Sequence, residues 1–262
     1  MPTSALHVAR TGLEAQDARM RVIANNLANI GTTGFKRDRA DFATLAYQDN
    51  RVAGQRSSNE TAYATGINLG TGVSVESTTS ITTQGTLNPT SNAPDFALDG
   101  EGYFQVQLPG GKLGYTRAGN FSRSAEGQLV TAHGYPVQPA IAIPDDAAAI
   151  TVGPDGTVSV TTASSATPTE IGQLTIASFA NPAGLQALGD NFLAETAASG
   201  PAQVGTAGDG GRGAIRQGML EASNVNVVEE LVDMIEVQRA YEINSKMISA
   251  VDEMLRNANQ TL

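Results

Sequence analysis

Residues 226–256 read NVVEELVDMIEVQRAYEINSKMISAVDEMLR, a stretch with neither glycine nor proline. Val227, Met234, Tyr241, Ile248 and Leu255 recur every seven residues, with Leu231, Val237 and Val251 beside them and Asn244 as a polar break. A seven-residue apolar repeat is the mark of a helix that pairs along a seam with other helices. Asn226 can accept from the first free amides while Glu229, three residues on, reaches back as in a capping box. Glu229, Glu230 and Asp233 near the start and Lys246 and Arg256 toward the end suit the helix dipole. At 1.5 Å per residue, about 30 residues make a rod of roughly 45 Å.

The opposite end of the chain repeats the design. From Thr3 to about Ile30 there is one glycine and no proline, and Leu6, Leu13, Met20 and Leu27 are again seven apart. Three residues after each come Ala9, Gln16, Ile23 and Ile30, which completes a seam with one polar interruption. Gly31 and Gly34 end the pattern. Two helices of this kind could pair with each other inside one chain, or each could wait for helices of other copies, since a helix with one apolar seam cannot bury it alone.

Between the helices the pattern changes to strand and turn. Phe104, Val106 and Leu108 alternate with Gln105 and Gln107, and Pro109-Gly110-Gly111 leads back through Leu113 and Tyr115. Ile150 and Val152 face Val158 and Val160 across Gly153-Pro154-Asp155-Gly156. Both predict hairpins with one wet face. Another strand is expected through Leu174 and Ile176, ended by Asn181-Pro182. The polar segment from Gln48 to Gly72 lacks either period and reads as an extended connection. The expected fold is therefore α+β: long N- and C-terminal helices forming a coiled-coil-like domain, with a mainly antiparallel β middle domain. The boundaries are 1–34 and 222–262 for the helical assembly domain, 35–84 and 200–221 for the connecting region, and 85–199 for the β-rich domain.

Composition narrows the function. Twenty-six acidic against 16 basic side chains give a net charge of −10, and the basic residues are scattered singly, which argues against nucleic acid and anionic lipid as partners. The 40% apolar content suffices for a core, while 28 glycines imply many reversals. Without cysteine there are no disulfides and no thiolate chemistry. His7, Arg10, Glu14, Asp17, Arg19 and Arg21 interrupt the first 30 residues, so no signal-type apolar region is expected there. Nothing approaches the roughly 18 apolar residues of a spanning helix, so no direct membrane insertion is expected.

Motifs of chemistry fail on context. Gly208-Asp209-Gly210-Gly211-Arg212-Gly213 has the glycine spacing of a dinucleotide loop, but no apolar strand precedes it and no helix opens at its end, which leaves a turn. Gly110-Gly111-Lys112 lacks the first glycine of a phosphate loop, since Val106 stands there. His7 and His133 have no companion ligands, and no metal or cofactor is expected. Asp99 and Glu101 flank Gly100 and are the one carboxylate pair to consider. As acids of a secreted carbohydrate-binding or hydrolytic β-domain they would want aromatic platforms, yet the seven Phe and six Tyr are dispersed and Trp is absent.

Four separate stretches carry a resemblance. Residues 24–36, ANNLANIGTTGFK, look like the N-terminal signature of the bacterial flagellar rod and hook family, with Asn25, Asn26, Leu27, Ala28, Asn29, Gly34 and Phe35 as its members. Ser223-Asn224-Val225 followed by Glu229-Glu230-Leu231 and Gln238-Arg239-Ala240-Tyr241-Glu242 resembles that family's C-terminal signature. Asp99-Gly100-Glu101-Gly102-Tyr103-Phe104 and Tyr115-Thr116-Arg117-Ala118-Gly119-Asn120-Phe121 are similar to its β-domain motifs. The length, the stretch from Tyr47 to Gly72 and the approach Gly218-Met219-Leu220-Glu221 fit a rod subunit with a full β middle. Shorter rod subunits lack most of that middle, and hook subunits add a domain.

The resemblance implies a non-enzymatic subunit without cofactor. Its copies would stack helically into a hollow shaft that crosses the periplasm and carries torque from motor to hook. Its implied partners are itself, proximal rod subunits, hook subunits, surrounding ring proteins and the flagellar export apparatus, which takes the family without a cleaved signal. Leu6, Leu13, Met20, Ile23 and Leu27 on the first helix and Val227, Leu231, Met234, Val237, Tyr241, Ile248, Val251 and Leu255 on the second are the expected assembly surface.

Overall fold

Pro2–Ala28 form the first helix, α1, and Val227–Gln260 the second, α2, in a computed structural model that describes residues 2–56, 63–162 and 165–260. The chain divides into two units: residues 1–27, 38–79 and 226–262 make one, and residues 28–37 and 80–225 the other.

In the helical unit, Asn226 caps α2 as expected: its Oδ1 accepts the Val228 N–H at 3.1 Å, and its carbonyl accepts the Glu230 N–H. α1 and α2 lie antiparallel. Arg19 meets Asp233 at 3.1 Å, Asn26 donates to Glu230, and a Cβ added to Gly12 would stand 3.2 Å from Asn244 Nδ2. A side chain at residue 12 would therefore push Asn244 away. Ala9, Ala15 and Ile23 on α1 and Val237 and Val251 on α2 are buried.

Tyr47–Arg51 pairs antiparallel with Ile67–Gly70, Tyr47 opposite Gly70 and Gln48 opposite Leu69. The stretch expected to be a plain connection thus contains a hairpin, and its residues 57–62 lie outside the described residues. The period was hidden because both faces of the hairpin stay largely in solvent, so apolar and polar residues have no reason to alternate. Asp38–Thr44 pairs with Val73–Ser80, and Thr79 Oγ1 donates to Asp41 at 2.7 Å, which holds the Asp41 carboxyl below its ordinary range.

The β unit is built on an antiparallel sheet. Its order is Gln186–Gly189, Phe192–Ala194, Leu113–Thr116, Tyr103–Gln107, Thr175–Ser178 and Gln203–Thr206, and Val137–Gln138 also pairs with Tyr103–Gln107. A three-stranded sheet of Ala147–Val152, Thr157–Thr162 and Ser165–Gln173 stands beside it in sequence, with Ile150 opposite Val160 and Val152 opposite Val158 as expected. The main core gathers Phe96, Leu98, Phe104, Val106, Val158, Val160, Leu174, Ile176 and Ile215. The glycine-rich stretch at residues 208–213 is a turn, with Gly208, Gly210 and Gly211 at positive φ.

The first hairpin departs from expectation, because Tyr103–Gln107 has no wet face along most of its length. Phe104 and Val106 enter the main core, while Tyr103 and Tyr115 pack with Phe179 and Ala177 in a second cluster, and Gln105 is only 6% exposed. Tyr115 and Phe179 meet edge to face at 4.8 Å. Two long-range aromatic contacts cover a side that alternation alone marks as polar.

This cluster makes stability depend on alkaline pH. Burial, with Glu195 adding to it, pushes the Tyr115 phenol up to about 12. The folded chain therefore keeps a proton that the unfolded chain, titrating near 10, gives up. Stability is fully present below about pH 10 and falls as pH rises toward 12. Burial raises Tyr103 as well, so Tyr115→Phe should flatten only part of the slope. Denaturant midpoints of both proteins between pH 9 and 12 check this, and parallel curves would refute it.

Candidate functional site

A buried ionic node lies in the β unit. Glu221, on strand Met219–Glu221, is 0% exposed. Its Oε1 accepts from Lys36 Nζ at 2.5 Å and from the Gly85 N–H at 2.9 Å, while its Oε2 faces Arg117 Nη1 at 3.3 Å. Lys36 also donates to the Thr83 carbonyl, and Arg117 to the Gly100 carbonyl at 2.7 Å. Gly34 brings the chain in at φ +69°, and a Cβ there would lie 2.6 Å from the Arg117 carbonyl carbon, so only glycine fits. The Gly34 N–H donates to the Glu221 carbonyl. Burial pushes the Lys36 ammonium below its ordinary range, with Glu221 resisting and Arg117 adding to the fall. Two cations thus share one carboxylate in a site shut from water.

Three of the four motif stretches supply part of this node, Gly34 and Lys36 from the first and Gly100 and Arg117 from the two β motifs, while Glu221 comes from the approach to α2. Sequence reasoning marked those stretches without seeing that they meet. The available signal was charge embedded among glycines and apolar residues.

Two motif asparagines bind backbone. Asn224 Oδ1 accepts the Arg37 N–H at 2.7 Å, and its Nδ2 donates to the carbonyls of Ile81 and Thr83. In the helical unit, Asn26 exchanges two 2.9 Å hydrogen bonds with the backbone of Asp38. Ser223 Oγ accepts the Val225 N–H. Asn29 borders an open polar cavity of about 400 Å3 in the β unit, together with Thr33, Thr131, His133 and Asn191. Asn25, Ala28 and Phe35 flank these groups on the same segment, Asn25 and Ala28 exposed and Phe35 half-buried.

The residues expected to form the assembly surface are distributed unevenly. Ile23, Val237 and Val251 are buried within the chain. Leu6, Leu13, Met20, Leu27, Met234, Ile248 and Leu255 are half-buried, while Val227, Leu231 and Tyr241 are exposed. The row of α2 turned inward is Glu230, Val237, Asn244 and Val251. Outside that row, at 3.6 residues per turn, runs a broad exposed apolar stripe: Val228, Val232 and Ile235 lie opposite it, while Ile243, Met247 and Met254 drift toward its flank, with Val228 at 68% and Ile243 at 61%. Asp99 is tied to Arg216 at 2.9 Å, which makes it half of an ion pair.

Three family models match the chain in order. Residues 6–36 match a flagella basal body rod protein model, residues 97–160 the flagellar hook protein FlgE/F/G D1 domain, and residues 216–261 the flagellar basal body rod FlgEFG protein C-terminal model. The flagellar basal-body rod protein FlgG of Buchnera aphidicola subsp. Schizaphis graminum is 50% identical over 255 residues, covering 97% of this chain and 98% of the relative. This chain belongs to the flagellar basal-body rod protein family. Two Caulobacter vibrioides relatives refine the likeness: its FlgG is 46% identical over 98% of each chain, and its FlgF 34% identical over 99% of this chain and 98% of the relative. The family is structural and not enzymatic, its members reside in the flagellar basal body, and they assemble with other rod and hook subunits. No helix among the described residues is long and apolar enough to cross a membrane.

Proposed function

We infer that the chain is a subunit of the distal part of the rod, stacking helically with its own copies into a hollow shaft across the periplasm that carries torque from motor to hook. The observation that carries this reading is the unpartnered stripe on α2. A helix whose exposed apolar residues extend well beyond the row it buries within its chain needs a second partner to cover them. Copies joined head to tail by a rotation that does not close make an open helical filament. In the shaft, the stripe and the half-buried flank at Leu6, Leu13, Met20, Met234, Ile248 and Leu255 pack in coiled-coil fashion against neighbouring copies. Proximal rod and hook subunits join its ends, ring proteins surround its β units, and the flagellar export apparatus delivers it. Electron micrographs of concentrated protein should show tubes, and dispersed particles at all concentrations would count against the reading.

The hairpin at Tyr47–Arg51 and Ile67–Gly70 exposes Tyr47, Val52, Tyr63, Ile67 and Leu69. In the shaft it lies against neighbouring copies and stiffens them. Deleting residues 49–65 should leave the subunit folded yet produce curved tubes. Straight tubes of unchanged persistence length would refute the bracing role.

A further inference from the structure

The sequence passes between the two units at residues 27/28, 37/38, 79/80 and 225/226. Near these points stand the two asparagines. In the β unit, Asn224 ties the last three passages together: Oδ1 accepts from the Arg37 N–H, Nδ2 donates to the Ile81 and Thr83 carbonyls, and the Ile81 N–H donates to the Arg37 carbonyl at 2.8 Å. In the helical unit, Asn26, 1% exposed, holds the N–H and the carbonyl of Asp38 and reaches Glu230 at 3.3 Å. Arg37 and Asp38 are consecutive, so each residue of one passage is held by its own asparagine.

An amide side chain offers a donor and an acceptor in one plane and so can bond a backbone N–H and C=O much as a neighbouring strand does. A lone linker turns freely about φ and ψ; several linkers cross-tied by hydrogen bonds cannot twist independently. We propose that Asn224 and Asn26 are the two halves of a torsion clamp, which fixes the passages so that load on the helices reaches the β unit through several tied segments at once. The proposal rests on the rod reading for the source of the load, while the clamp itself is a property of the single subunit.

The test compares Asn224→Ala with Asn224→Asp in the full-length subunit by residue-resolved amide hydrogen exchange. Asn224→Ala removes the acceptor of the Arg37 N–H and the donor to the Ile81 and Thr83 carbonyls. The Arg37 amide should therefore exchange at least about tenfold faster, and the Ile81 amide, whose own bond to the Arg37 carbonyl is no longer held in place, should follow, while Val106 and Val158 stay protected. Asn224→Asp keeps the acceptor for the Arg37 N–H but sets a carboxylate against the Ile81 and Thr83 carbonyls, which pushes residues 81–83 away and strains the bond from the Ile81 N–H to the Arg37 carbonyl. Of the two amides, Ile81 alone should speed up. General loss of stability would move all four amides together, and that result overturns the proposal. If the alanine variant fails to fold, the aspartate variant, of nearly the same volume, decides by the same split between Arg37 and Ile81. In cells, tethered-bead measurements on basal bodies built with the aspartate variant should show at least about twofold higher torsional compliance. Unchanged compliance with a loosened Ile81 amide would also overturn the proposal. A failure of the rod reading looks different: the unaltered chain forms no tubes while its exchange pattern still splits as stated.

Discussion

Glu221→Ala is expected to destabilise the β unit by about 3–5 kcal/mol, because it leaves the Lys36 ammonium and the Arg117 guanidinium buried without their shared carboxylate. The loss is larger than that of an ordinary surface pair, worth at most about 1 kcal/mol, since water cannot replace the missing partner. For a unit of this size the melting temperature should fall by roughly 6–20 °C. The effect is not an argument that the node contributes much net stability. Two cations and one anion are expensive to desolvate, and an apolar set of the same shape could do as well. What the node supplies is specificity of place: Lys36 comes from the segment after α1, Glu221 from the segment before α2, and Arg117 from the β motif between. Thermal unfolding of the purified variant checks the value, and a shift below about 2 °C would show that the charges rearrange into water.

The second large effect concerns assembly. Ile243 is mostly exposed in the subunit, so Ile243→Asp should leave folding untouched. In the proposed shaft the same position is covered by a neighbouring copy. The variant then forgoes about 1.5–3 kcal/mol of apolar burial at each copy and desolvates a carboxylate without a partner. The concentration needed for tube growth should rise at least about a hundredfold, and motility should be lost. Ser249→Asp adds the same charge to the same helix on an exposed face between the stripe and the half-buried flank and should have a small effect. Equal effects from the two variants would mean that added charge, and not the covered stripe, governs assembly.

How much of this was readable beforehand depended on the range of the interactions. Local signals served well: the Asn226 cap, the turns at 109–111 and 153–156, and the Ile150 to Val160 register all follow from neighbouring residues. The faces of α2 did not. Val227, Val228, Leu231, Val232, Met234, Ile235 and Val237 place apolar groups around nearly the whole first three turns, so more than one seven-residue row can be drawn. Periodicity cannot choose between them; Asn26 and Arg19 on α1 do, by engaging Glu230 and Asp233. The wet face expected at Gln105 was lost to Phe179, whose ring arrives from more than seventy residues away. The ionic node was hidden for the same reason, since its charges are separated by 185 and 104 residues.

On the proposed reading, the outward stripe of α2 is where one copy meets the next. Electron cryomicroscopy of tubes grown from the purified chain, at a resolution that shows side chains, tests it directly. The expected result is density of a neighbouring copy's helix packed on Val232, Ile235, Ile243 and Met247, with those side chains closed off from solvent. Tubes in which that stripe faces open solvent, with copies joined only through their β units, would contradict it.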